Sequence, residues 1–252
     1  MVGRFVCLEK IIMNLGGWVQ IFKDCLFPIF CLECQQEGQW WCNECLEKSF
    51  KSGVMCCPVC HQANINGHVC QNCKATSFLN GSVAFFNYEE SAPIGLLIKK
   101  FKFNLATDVS KVWKHIILSY GEVLFDKANW PSEQMVIIPV PLHKKRYNER
   151  GFNQSAIIAQ LVFEKLEYKG SILFDAKNLL RQKNTAQQAR LSRVERLENI
   201  KNAFVWQGQK LDGCNIVLVD DVFTTGATMQ ACAQILKENG AATVFALTLA
   251  RG

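Results

Sequence analysis

No stretch of the 252 residues stays apolar and uncharged for the roughly 18 positions that a bilayer-spanning helix needs. The N-terminal MVGRFVCLEKIIMNLGGWVQIFKDCLFPIF is rich in apolar residues, but Arg4, Glu9, Lys10, Lys23 and Asp24 interrupt it. No small-residue cleavage site follows a clean apolar core there. The expectation is a cytoplasmic protein with reduced thiols and no membrane insertion. Low-complexity linkers are lacking, and nothing repeats except pairs of cysteines. Large charge imbalance is lacking too: the formal net charge is +6. The positive charge is unevenly placed, however, with 19 Lys+Arg against 10 Asp+Glu between Lys99 and Lys201. Such a segment fits phosphates or nucleic acid, and equally a set of solvated helix faces. With 49% apolar residues, wholesale disorder is excluded and a substantial core is expected.

What the chain has in excess is cysteine. Eleven of its 13 cysteines precede Ser77, and eight of them form C-x-x-C pairs: Cys31/Cys34, Cys42/Cys45, Cys57/Cys60 and Cys70/Cys73. Two intervening residues let both sulfurs of one turn face one ion, and two such knuckles complete a tetrahedral Cys₄ site. Four pairs therefore predict two structural Zn²⁺ ions, with neighbouring pairs sharing an ion or with the pairs interleaved. A segment so short of apolar mass needs metal to fold. Three parts result: an unassigned helical lead-in over 1–24, a double zinc ribbon over 25–80 and an α/β domain over 81–252.

Periodicity supports the α/β reading. SVAFFNY, MVIIPVP, CNIVLVDDV and ATVFALTLA read as strands, the last two as strands buried on both faces. SAPIGLLIKKFKF, GFNQSAIIAQLVFEKLEY and ATMQACAQILKENGA read as helices. Strand, helix, strand at the C-terminus implies a right-handed parallel crossover.

The stretch VLVDDVFTTGAT carries the chemistry. A loop leaving a parallel strand lies at the carboxyl edge of the sheet, where α/β folds bind ligands. Thr224, Thr225, Gly226, Ala227 and Thr228 offer peptide N–H groups, hydroxyls and a helix N-terminus to a phosphate. Asp220 and Asp221 stand just before them, and carboxylates accept hydrogen bonds from vicinal hydroxyls. A ribose carrying a 5-phosphate satisfies both halves. Singly, a capping threonine or an Asp-Asp pair at a strand end would signify little; the whole string is more specific. A nucleotide-binding P-loop does not fit, because no Lys-Ser/Thr closes the loop.

That string is similar to the signature of type I phosphoribosyltransferases. Together with LFPIFCLEC, IKKFKFN, PVPLHKKRYNERGFNQSAIIA and RQKNTAQQARLSRVERLENIKNAF, the chain resembles the ComF/GntX family over roughly residues 25–252. The resemblance implies a type I phosphoribosyltransferase fold with an N-terminal zinc-ribbon module, tied to bacterial DNA uptake and utilisation. It implies binding of 5-phosphoribosyl-1-pyrophosphate with Mg²⁺, and as partners single-stranded DNA and other competence proteins. Asp220 and Asp221 are then the catalytic candidates, Asp221 being the nearest to a base. Arg146 and Arg150 become pyrophosphate candidates, since a guanidinium fork suits paired phosphate oxygens. Lys99 and Lys102 are further candidates, although lysines at a helix end also suit its dipole. Gln187, Arg190, Arg193, Arg196 and Asn199 match a hood over the substrate, and equally an exposed helix. An active chain would displace pyrophosphate from the anomeric carbon through an oxocarbenium-like transition state; the acceptor is not readable. The competing reading is a protein that handles single-stranded DNA on this fold without turnover.

Overall fold

The computed structural model describes residues 28–102, 106–167, 170–183 and 203–252. The lead-in over 1–24 and the hood candidates Gln187, Arg190, Arg193, Arg196 and Asn199 lie outside them. The chain divides into two compact units, Met1–Ser49 and Phe50–Gly252.

In the first unit, the described residues form one knuckle followed by the short helix α1 (Asn43–Ser49). Within this unit the indole N–H of Trp41 donates to the Glu33 carboxylate at 3.1 Å.

The second unit is built on a six-stranded sheet in the order β1-β2-β8-β7-β3-β4. Its strands are β1 (Val54–Met55), β2 (Gly81–Asn87), β3 (Met135–Pro139), β4 (Ile172–Phe174), β7 (Asn215–Phe223) and β8 (Thr243–Arg251). Only β1 runs antiparallel to its neighbour. Helices α2 (Pro93–Lys102), α3 (Ala106–Ala128), α4 (Lys144–Arg150), α5 (Gln154–Leu166) and α6 (Ala227–Glu238) connect them. A separate antiparallel pair joins β5 (Leu179–Arg181) to β6 (Phe204–Trp206). This mixed α/β architecture with a mostly parallel sheet is the one expected. Among the described residues, no helix is long and apolar enough to cross a membrane.

The apolar runs of β7 and β8 are buried on both faces, as strands of a parallel sheet must be. On one face, Ile216 and Leu218 of β7 join Val244 and Ala246 of β8 against Met229, Cys232, Ala233 and Leu236 of α6. The stripe Ile158, Ala159, Val162, Leu166 makes α5 amphipathic. Asn153 starts α5: its side chain accepts from the Ser155 N–H at 3.1 Å and donates to the Val140 carbonyl at 3.1 Å. That pair of bonds ties the helix to the end of β3. The 23-residue α3 has no counterpart in the sequence reading, although Val109, Trp113, Ile116 and Ile117 are fully buried at helical spacing.

Candidate functional site

The eight paired cysteines gather into two tetrads, Cys31/Cys34/Cys42/Cys45 and Cys57/Cys60/Cys70/Cys73. Neighbouring pairs thus share a site, and the interleaved alternative is excluded. Within each tetrad the sulfurs all lie within 4.8 Å of one another. Cys34 and Cys42 are 3.6 Å apart at sulfur, and Cys60 and Cys70 are 3.7 Å apart. Four sulfurs at about 2.3 Å from a tetrahedral zinc are separated by about 3.8 Å, whereas a disulfide brings them to about 2.05 Å. The donor set fits zinc.

Both knuckles share one backbone design. The N–H groups of Cys31 and Cys57 donate to the carbonyls of Gln36 and Gln62, and those of Gln35 and His61 donate back to Cys31 and Cys57. Gln35 and His61 both take positive φ, 62° and 64°, which folds the chain back around the sulfurs. Burial resists ionisation of Cys31 and Cys57, yet peptide N–H groups of Cys42, Cys34 and Glu33 around the first, and of Cys60, Cys70 and Val59 around the second, pull both down to about 6. A thiol so placed is readily a thiolate ligand.

The second candidate site lies where β7 meets α6. Gly226 caps α6 at φ +74°, a conformation that favours glycine. A Cβ there would also fall 2.5 Å from the Phe223 ring. The first turn of α6 has no side-chain cap from Gly226, and the Thr225 hydroxyl reaches the Ala227 N–H only at 3.5 Å. Thr224 is exposed while Thr225 and Thr228 are half-buried, so hydroxyls and peptide donors line the bend. The expected loop, Thr224 to Thr228, thus combines a left-handed bend with hydroxyls and the N-terminal peptide groups of α6.

The two acids before it have different partners. Strand alternation directs Asp220 with Ile216 and Leu218, and Asp221 with Val217 and Val219. Asp220 accepts at Oδ1 from the Ser155 hydroxyl at 2.6 Å and from the Asp221 N–H at 2.9 Å. Asp221 instead meets the Lys102 ammonium at 2.8 Å. Burial, and then the charge of Asp221, push the Asp220 carboxyl up to about 7 against the lowering pull of Ser155, the Asp221 N–H and Lys102.

Arg146 and Arg150 sit four residues apart on α4, half-buried, whereas Lys144 and Lys145 are exposed. Burial, and then the charge of Arg146, lower Arg150, while Asp221, Glu149 and Asp220 oppose that shift. Lys102 therefore touches the acid pair, and Arg150 lies within electrostatic reach of it. Lys99 does not join them: it pairs with Glu90 at 2.5 Å. The structure adds two residues absent from the sequence reading. Ser155 is one. The other is Arg181, at the end of β5, whose guanidinium is lowered by burial and then by Arg146, with Cys232 and Asp220 acting oppositely. Arg181 opens the polar run RQKNTAQQAR, and that position was its only sequence signal.

Over residues 152–252 the chain matches the phosphoribosyl transferase domain family. The DNA utilization protein YhgH of Escherichia coli O157:H7 is 31% identical over 230 residues, covering 89% of this chain and 97% of that protein. Competence protein ComFC of Bacillus subtilis is 28% identical over 218 residues, 83% of each chain. Competence protein F of Haemophilus influenzae is 29% identical over 218 residues, 83% of this chain and 90% of that one.

Proposed function

Because the chain belongs to the ComF family, we propose that its larger unit binds 5-phosphoribosyl-1-pyrophosphate with Mg²⁺ and serves DNA uptake or the use of external DNA. One observation carries this reading. A left-handed Gly226 bend open to an anion stands beside two carboxylates and the cations Lys102 and Arg150, at the carboxyl edge of the sheet.

In this reading the peptide N–H groups and hydroxyls of Thr224–Thr228 hold the 5-phosphate. Asp220, held by Ser155, accepts from the ribose hydroxyls. Lys102, Arg146 and Arg150 face the pyrophosphate and neutralise the charge that develops as it departs. The hard oxygen donors of Asp220 and Asp221 would suit a hard cation, which when bound would supply charge neutralisation for the pyrophosphate. Salt-bridged to Lys102, Asp221 serves as a fixed charge. Asp220, held near neutrality, is the carboxyl able to exchange a proton with an acceptor.

Calorimetry with phosphoribosyl pyrophosphate and Mg²⁺ tests the pocket. Binding to the wild type should weaken in Asp220→Asn and in Thr228→Ala; equal affinity in all three defeats the reading.

A second reading, contact with single-stranded DNA, is favoured by α4. Lys144, Lys145 and Tyr147 are all exposed on it, Tyr147 to 49%. Cations that follow a phosphate backbone next to an aromatic platform suit unpaired bases. Affinity for an oligothymidylate should fall steeply with salt and drop in Tyr147→Ala; a flat salt dependence rejects phosphate contact as its basis.

A further inference from the structure

The second tetrad and the Thr224–Thr228 loop, both in the larger unit, are joined through one side chain. Arg251, the last residue of β8, is 5% exposed. Its Nη1 donates to the Ser82 hydroxyl at 2.5 Å and its Nη2 to the Cys57 carbonyl at 3.0 Å. The Ser82 hydroxyl in turn donates to the Cys56 carbonyl at 3.1 Å. The guanidinium carbon Cζ lies over the Phe223 ring, 4.3 Å from its centre. That ring is the surface against which Gly226 makes its left-handed bend.

A continuous series of contacts thus runs from a metal-ligating residue, through its own carbonyl, to Arg251, Phe223 and Gly226. Each link is short and directional. A guanidinium held in its plane by two acceptors has little freedom to tilt, so its stacked partner is held as well. The knuckle supplies one of those acceptors, and the Cys57 carbonyl stays in place only while its turn is closed around an ion. Opening that turn would leave a buried cation short of a partner, a state strongly disfavoured until the side chain moves. Any movement of Arg251 removes the support beneath the Phe223 ring.

We propose that Arg251 is a positioning residue that couples metal occupancy of the Cys57/Cys60/Cys70/Cys73 tetrad to the conformation of the Thr224–Thr228 loop. Its consequence for ligand affinity rests on reading that loop as the phosphate site. The loop is then organised only when the second knuckle holds its ion, and by reciprocity a phosphate on the loop tightens binding of that ion. The first tetrad belongs to the other unit and has no part in this series.

Hydrogen exchange of the peptide spanning Phe223–Ala231, measured on the full chain, tests the coupling without reference to any ligand. In Cys73→Ser, which disables the second site, exchange of the Gln230 N–H, which donates to the Gly226 carbonyl at 2.8 Å, should quicken by a factor within the roughly 5–150-fold range of ordinary couplings. In Cys34→Ser, which disables the first, it should not change. Arg251→Met and Phe223→Leu should quicken it with both metal sites filled, as zinc content will verify, and Arg251→Lys should fall between them and the wild type. Unchanged exchange in Cys73→Ser, or equal acceleration in Cys34→Ser, overturns the proposal. So does unchanged exchange in both Arg251→Met and Phe223→Leu, which serve if Cys73→Ser does not fold. Calorimetry with ribose 5-phosphate separates the two readings. Failure to bind the zinc-loaded wild type counts against the phosphate site, whereas the exchange result counts for or against the coupling.

Discussion

The Ser155 hydroxyl donates to Asp220 Oδ1 at 2.6 Å across 65 positions of sequence, joining the first turn of α5 to the end of β7. The Asp221 N–H falls on the same oxygen, so the Asp220 carboxyl is held in one orientation. Ser155→Ala should therefore raise the Asp220 pKa further and destabilise the fold above neutral pH by about 1–3 kcal/mol, as befits a hydrogen bond to a charged group. Carboxyl carbon titration by NMR and urea unfolding would show both effects.

Asp220 also makes stability depend on pH. Its carboxyl rises from an ordinary 3.8 to about 7, so the folded chain retains a proton that the unfolded chain releases. The contribution of this group to stability is level below about pH 4, falls as pH rises to about 7, and is level again above. In Asp220→Asn that decline should disappear, a difference of roughly 3–4 kcal/mol between about pH 4 and about pH 7.5. A wild-type profile parallel to that of the variant over the same range would falsify the assignment.

Gly226→Ala combines two penalties, a left-handed φ and a Cβ driven into the Phe223 ring. We expect a loss of about 1–3 kcal/mol in stability from the strained backbone. Binding of phosphoribosyl pyrophosphate should fall below detection. Thermal unfolding and calorimetry on the same preparation would reveal whether one loss occurs without the other.

Lys102→Met removes the cation 2.8 Å from Asp221 and leaves a largely buried carboxylate without it. Destabilisation of about 1–3 kcal/mol is expected, less than breaking a fully buried pair costs because both side chains keep some solvent. The Asp220 titration should move upward as well, since Lys102 helps to hold that carboxyl down. Lys102→Arg should restore most of both. A downward movement of Asp220 in Lys102→Met would refute this account of the pair.

The tetrads predict two zinc ions per chain by elemental analysis, falling to one in Cys45→Ser and to one in Cys73→Ser. Chelation of both should cause cooperative loss of structure in the knuckles, because the ion supplies the folding energy there. A value of two that survives either substitution would show that the sulfurs are not the ligands.

Much of this was legible in the chain alone, for reasons that differ by element. The strand-loop-helix string from Val217 to Thr228 could be read because its period, its glycine and its acids are contiguous. Helix α5 announced itself through Asn153 and the stripe Ile158, Ala159, Val162. Helix α3 went unread even though its buried residues keep helical spacing, since Ser110, Lys111 and Lys114 interleave with them. Strands β4, β5 and β6 have three residues each, too few to display a period of two. The PVPLHKKRYNERG turn contains the seven-residue α4, and only its helical spacing turns Arg146 and Arg150 inward and Lys144 and Lys145 outward.

Consecutive residues were enough to specify the candidate chemistry of both kinds of site. A C-x-x-C turn and a Thr-Thr-Gly bend acquire their geometry from consecutive residues, so local sterics and hydrogen bonding suffice. Long-range packing set which cysteine pairs come together, which acid meets Lys102 and which meets Ser155, and that Arg251 reaches from β8 to the second knuckle. Those outcomes depend on the order and register of strands brought together by long crossovers, and one residue of register reverses the face on which a side chain emerges.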